Sequence, residues 1–236
     1  LQACTPLIAG IFSIVWLRKH YTGLFKWPTI GEIINSYKEG WSIFVSSLAV
    51  NLYTATNVVV LGMLTNNVIV GYYSAADKLI TCVRRGIYAV SDAIYPFISK
   101  MMKDDISKGL QFIKKQIFLY LVVGLVGCTS LFFFSDTIVK LLFGADYNLT
   151  VDVLRILSFV PLAVAISTVF GEETMLPLNM NSAYSRTLVL AAFFSLLSIF
   201  PLCYLWGAKG VAMTMLLTEF LIMIIMGGLL RKQLFQ

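Results

Sequence analysis

Asp77, Lys78, Arg84, Arg85 and Asp92 place five charges within one short stretch of a chain that is otherwise strongly apolar. A charge at the centre of a membrane helix costs about 2.5–3.5 kcal/mol on insertion scales, so such residues usually serve a route or a partner. Two adjacent arginines offer planar donor forks that suit phosphate and other oxyanions and stay charged at any working pH. On a helix of 100° per residue, Asp77, Lys78, Thr81, Arg84, Arg85, Tyr88, Asp92 and Tyr95 fall within a sector of about 120°. Leu79, Ile80, Val83, Ile87 and Val90 take the opposite face. Asp77 and Arg84, like Arg85 and Asp92, are separated by about 10.5 Å of helical rise, long for a direct ion pair. Lys78 does not face its neighbour Asp77, because i,i+1 side chains diverge. The stripe therefore depends on water, on other helices or on a ligand. Two uses stand open: an ion-pair network that locks helices together, and a cationic path for an anionic substrate. Glu219, the other acid placed mid-span, is a partner for the arginines or a coupling-ion site, as are Asp77 and Asp92.

The elements that must position this stripe are membrane helices. Hydrophobic residues make up 58% of the 236 residues and charged residues 13%, about half of the ~25% usual in a soluble domain. The net charge of +6 then reads as basic loops at a membrane surface rather than a nucleic-acid footprint. Cys4, Cys82, Cys128 and Cys203 are far apart and show no metal-ligand spacing, and His20 is the only histidine. No metal, cofactor, catalytic triad or enzymatic activity is expected from such a set.

Apolar runs predict an all-α, polytopic bundle of about seven transmembrane helices. Leu1–Leu17 reads as the tail of one span, ending in Arg18-Lys19-His20. Tyr21–Gly40 is a polar connector in which Ile30, Ile33, Ile34 and Tyr37 recur at helical spacing. Spans follow at Trp41–Leu64, in the charged helix to about Pro96, and at Gln116–Phe134, Val151–Phe170, Leu188–Trp206 and Val211–Leu230. The lysine-rich stretch from Ser99 to Lys115, the segment from Ser135 to Thr150 and the polar segment beginning Gly171-Glu172-Glu173 read as loops, the last as a solvated turn. Two domains result: residues 1–40, a preceding helix end plus connector, and residues 41–236, a six-helix lobe. The chain opens inside an apolar run without Met, so an N-terminal portion is expected to be missing. In the span from Trp41, Ser47, Asn51, Thr54 and Asn57 share one face, for helix–helix hydrogen bonds or for a cavity wall. Twelve Lys and Arg fall on one side of the bundle and three on the other, which predicts a cytoplasmic C-terminus in an inner or plasma membrane.

These patches together resemble a known family. Asn51-Leu-Tyr-Thr-Ala-Thr-Asn57, Gly71-Tyr-Tyr-Ser-Ala-Ala-Asp-Lys78, Ala93-Ile-Tyr-Pro-Phe-Ile-Ser-Lys100, Gly171-Glu-Glu-Thr-Met-Leu-Pro-Leu178 and Gly210-Val-Ala-Met-Thr-Met-Leu-Leu-Thr-Glu219 are similar to the bacterial O-antigen and polysaccharide flippases (Wzx type) of the multidrug/oligosaccharidyl-lipid/polysaccharide exporter superfamily. The resemblance implies about twelve helices in two lobes around a cationic cavity, with this chain as the C-terminal lobe and the helix before it. It implies an undecaprenyl-pyrophosphate-linked oligosaccharide moved from the cytoplasmic to the periplasmic leaflet by alternating access. Arg84 and Arg85 would face the pyrophosphate or acidic sugars, with Asp77, Lys78, Asn51, Asn57 and Tyr88 tuning the same cavity. The implied partners are the lipid-linked oligosaccharide, the bilayer, the missing N-terminal lobe, and polysaccharide polymerase and chain-length proteins. A multidrug/ion antiporter or a peptidoglycan-precursor flippase of the same superfamily is the alternative. A membrane-embedded polysaccharide polymerase or ligase, the alternative from another class, would want a sizeable outer loop with convergent His, Arg or acidic groups. Position 77 is often Glu in such sequences, and Asp92 stands where a neutral polar residue is expected.

Overall fold

The structure, a computed structural model, describes Gly10, residues 12–16, Lys19, residues 29–144 and residues 146–235. The first predicted span lies mostly outside these residues, as do Cys4, Arg18, His20 and the Trp27-Pro28 connector; residues 12–16 are helical. The chain divides into two compact units, Leu1–Gly40 and Trp41–Gln236.

The described part of the first unit carries the start of helix α1 (Ile30–Leu64). Thr29 and Glu32 form a reciprocal capping box: the Thr29 N–H donates to Glu32 Oε2 at 2.7 Å, and the Glu32 N–H donates to Thr29 Oγ1 at 3.4 Å. Such a pair satisfies two of the donors that a helix start leaves orphaned.

The second unit is all-helical among the described residues. After α1 come α2 (Asn67–Asp104), α3 (Ile106–Phe143), α4 (Asn148–Leu157), α5 (Val160–Phe170), a π-helical turn (Gly171–Met175), α6 (Asn181–Trp206) and α7 (Ala208–Phe235). Among the described residues five segments are long and apolar enough to cross a membrane: Ile43–Leu64, Ile106–Phe143, Asn148–Met175, Asn181–Trp206 and Ala208–Arg231. The protein is a polytopic membrane bundle. Helix α2 is equally long, but its charges keep it out of that set. It packs against α3, α4 and α5. At the centre, α7 lies against α4, α5 and α6. Its Val211, Ala212 and Met215 share a core with Leu61 of α1, Tyr73 and Ile80 of α2, and Leu154 and Leu157 of α4.

Three expectations about loops give way. Helix α2 does not stop near Pro96 but runs through it to Asp104, and α3 begins at Ile106. Lys100, Lys103, Lys108, Lys114 and Lys115 therefore sit on helix ends rather than on a loop. Asp105 alone joins the two helices, in extended conformation, and its carboxylate accepts from the N–H groups of Ser107 and Lys108. The Lys108 N–H is the largest influence holding its carboxyl below the usual carboxylate range. Helix α3 likewise runs to Phe143, absorbing part of the predicted 135–150 loop. The third is the polar segment at 171, which is ordered helix and largely buried.

Two glycines set how α6 meets α7. Gly207 ends α6 at φ 54°, a left-handed conformation that side chains with a Cβ disfavour. Three residues on, a Cβ at Gly210 would fall onto the Leu202 carbonyl, so only glycine allows the backbones this approach. Gly210→Ala is expected to cost about 1–3 kcal/mol through forced backbone shifts, read as a lower unfolding midpoint of the detergent-purified protein.

Candidate functional site

Helix α2 carries the stripe, and the structure splits it lengthwise. The most deeply buried line of α2 is Tyr73, Ile80, Ser91 and Ile98, which adjoins the stripe instead of lying opposite it. Asp77 and Arg84, nearest that line, are half-buried, whereas Lys78, Arg85 and Asp92 on the far edge are exposed. The face expected to be the greasy back, with Val83 and Val90, is itself exposed. Together with Gly124, Gly127 and Pro161 it borders an apolar groove of about 340 Å³. The reason is packing order: α4 and α5 press on one flank of α2, leaving both the charged edge and the Val83–Val90 edge uncovered within this unit.

Arg84 is the inward charge. Its Nη2 donates to Thr81 Oγ1 at 3.2 Å. It lies close enough to Glu219, Asp77 and the hydroxyls of Tyr53, Tyr73 and Tyr88 to act on each through space. Among the described residues the ion pairs are Lys108–Asp105, Lys140–Asp136 and Lys209–Asp152. None involves a charge of the stripe, which disfavours the interlocking network of ion pairs. Glu219 of α7 is 5% exposed and accepts from the Tyr53 hydroxyl of α1 at 3.0 Å.

The polar face of α1 divides in the same way. Asn57 is buried, whereas Ser47 and Asn51 are exposed, and Asn51 Nδ2 donates to the Ser47 carbonyl at 2.8 Å. Asn57 Oδ1 has no hydrogen-bond partner.

Two cavities adjoin these groups. The smaller, about 60 Å³, is bordered by Tyr53, Tyr88, Glu172, Tyr184 and Glu219. A larger one of about 350 Å³ is bordered by Ser91, Asp92, Tyr95, Glu172 and Tyr184. Glu172 and Tyr184 belong to both, so the two form neighbouring parts of one acidic, tyrosine-rich region. Asp92 and Glu172 interact through space across it. Pro96, lacking an N–H, also leaves the Asp92 carbonyl without its helical donor.

The sequence reasoning missed the π-turn. In it the Leu176 N–H reaches back five residues to the Gly171 carbonyl at 3.1 Å. The extra residue per turn lets Glu172 point into the cavities while Glu173 enters the interior. Glu173 is fully buried; Ser91 Oγ donates to its Oε1 and Gln116 Nε2 to its Oε2, each at 2.6 Å. A π-turn inside an apolar span is rare and collects at functional sites. The available signal was a Glu-Glu pair one residue beyond the predicted Val151–Phe170 span, with Gly171 and Pro177 suggesting a turn instead.

The described residues thus form a bundle of membrane helices in which Tyr88, Asp92 and Tyr95 of the stripe border an acidic, tyrosine-rich region. A family model described as "Polysaccharide biosynthesis protein" matches residues 1–102. A protein named as an O-antigen transporter in Shigella dysenteriae is 30% identical over 93% of this chain and 54% of its own length. Another so named, in Escherichia coli strain K12, is 30% identical over 94% of the chain and 54% of its own length. The capsular polysaccharide biosynthesis protein CapF of Staphylococcus aureus is 27% identical over 92% of the chain and 57% of its own length. Over most of its length the chain is thus similar to proteins named as O-antigen transporters, and its first 102 residues to a polysaccharide biosynthesis family. It spans about half the length of the curated relatives it matches. No solved structure matches it significantly.

Proposed function

We propose that the full-length protein flips undecaprenyl-pyrophosphate-linked O-antigen or polysaccharide repeat units from the cytoplasmic to the periplasmic leaflet, with this chain as its C-terminal lobe. The observation that carries the proposal is on α2: Lys78, Arg84 and Arg85 have no ion-pair partner among the described residues. A pyrophosphate or acidic sugar supplies the missing counter-charge, and arginine forks bind such oxyanions in bidentate fashion. The mechanism is alternating access. The head group crosses between this lobe and the N-terminal one while the polyprenyl tail stays in lipid. The lysine distribution favours an inner membrane location with the C-terminus cytoplasmic, and polysaccharide polymerase and chain-length proteins are the expected neighbours.

The acids of the cavity, Asp92, Glu172 and Glu219, favour a second reading in which a cation or cationic drug is exchanged. One pair of measurements separates them. Cells lacking the full-length protein are expected to lose surface polysaccharide and accumulate its lipid-linked unit, with drug susceptibility unchanged. Unchanged surface polysaccharide together with raised drug susceptibility would select the antiporter instead.

A further inference from the structure

Glu173 is a carboxyl group with no exposed surface in the middle of a bundle, and its hydrogen-bond partners are both neutral. An isolated carboxylate in such a place is costly, so it either pairs with a cation or carries a proton. Among the described residues no Lys or Arg pairs with it. The titratable groups around it do not help: Glu172 is next in the chain, Asp92 follows Ser91 on α2, and Tyr120 comes from α3. From α6 comes Tyr184, and from α7 Glu219; both border the small cavity with Glu172.

A second observation points to what binds there. Gln116, 6% exposed, turns its amide to Glu173, and its Oε1 has no partner; nor does the hydroxyl of Tyr120, one turn along α3. Rotating the amide, an assignment that heavy atoms leave open, puts Gln116 Oε1 on Glu173. It also puts the NH₂ on the side now left without a partner. That arrangement needs a hydrogen on Glu173. The proton also has a path. Ser91 borders the larger cavity and its hydroxyl donates to Glu173, so one side chain touches both the wet space and the buried acid.

We infer that Glu173 is a proton-binding site built on the π-turn and loaded from the acidic cavity through Ser91. In the loaded form its O–H donates to Gln116 Oε1. On unloading, the carboxyl group turns its O–H from Gln116 to Ser91 Oγ, which accepts this proton while releasing its own to cavity water; the carboxylate then accepts from Ser91 and from the Gln116 NH₂. Because Ser91 is on α2 and Gln116 on α3, the proton state sets which hydrogen bonds join the π-turn to both helices. The site stands without the transport proposal, but its use to drive transport rests on it.

The test is infrared difference spectroscopy of the purified full-length protein in lipid nanodiscs, titrated over about pH 5 to 9. The expected result is a protonated-carboxyl C=O band that vanishes in Glu173→Gln and persists in Glu172→Gln, Asp92→Asn and Glu219→Gln. Ser91→Ala is expected to shift the band. If Glu173→Gln leaves the carboxyl region unchanged across the titration, Glu173 is ionised and the inference fails. Removal of the band by sodium at constant pH would also overturn it, assigning the site to a metal cation. In cells, Glu173→Gln at wild-type protein level is expected to lower surface polysaccharide at least tenfold. A clear band with no dependence of surface polysaccharide on the protein would sink the transport proposal and leave the proton site standing.

Discussion

Arg84→Ala in the full-length protein is expected to abolish surface polysaccharide assembly, by at least tenfold, while the protein accumulates normally in the membrane. The size follows from its position. Arg84 is half-buried, makes one neutral hydrogen bond within its own helix, and has no ion pair among the described residues. Its removal therefore breaks little structure, and alanine is a good helix former at that site. What disappears is a bidentate donor one helical turn from Tyr88, which borders the smaller cavity. Truncating a buried, charge-assisted contact commonly costs about 2–5 kcal/mol of binding, or more than a tenfold loss of affinity. Arg84→Lys keeps the charge but not the fork, and is expected to recover only part of the activity. Arg85→Ala, on the exposed edge, is expected to be milder within this lobe. Quantitative lipopolysaccharide profiles with an immunoblot for protein level decide the matter. Wild-type profiles for both arginine variants would remove the cationic path from consideration.

The second large effect belongs to Glu219. Glu219→Gln retains an oxygen that accepts from the Tyr53 hydroxyl and changes the volume little, so folding is expected to be preserved. It deletes the negative charge facing Arg84. On the proposed path, a guanidinium freed of that charge would hold an anionic head group too firmly for release. The expected result is a drop in surface polysaccharide on the order of tenfold with undiminished binding of the lipid-linked substrate. Tyr53→Phe supplies the contrast. It leaves the charge but strips the carboxylate of its donor, an unsatisfied-group cost of about 1–3 kcal/mol, and should lower thermal stability more than turnover. Equal losses of binding and export in Glu219→Gln would assign the residue to structure alone.

Much of this arrangement could be read from residue spacing. The stripe on α2 follows from a 3.6-residue period, which needs no tertiary information, and the apolar runs mark most of the spans. The errors share a cause. Ser99–Lys115 looks like a loop because it is polar, yet polar residues continue a helix readily once it leaves the bilayer, and the single extended residue Asp105 suffices to turn it. Which flank of α2 is buried is set by α4 and α5, which a wheel drawn for α2 alone does not contain. Glu173 illustrates the limit best. Its partners Ser91 and Gln116 lie 82 and 57 residues away in the chain, so whether two adjacent glutamates are solvated or sealed inside is decided by packing, not by their immediate neighbours.

The one-residue joint at Asp105 also bears on how the protein is made. Helix α2 is too charged to enter a bilayer readily by itself, whereas α3, immediately after it, is the most apolar of the five candidate spans. Tied by a single capped residue, the two reach the insertion machinery as one hairpin, and the greasy arm carries the charged one across. A flexible insertion at Asp105 would uncouple them and strand α2 at the surface. The charged helix thus owes its entry into the membrane to its neighbour.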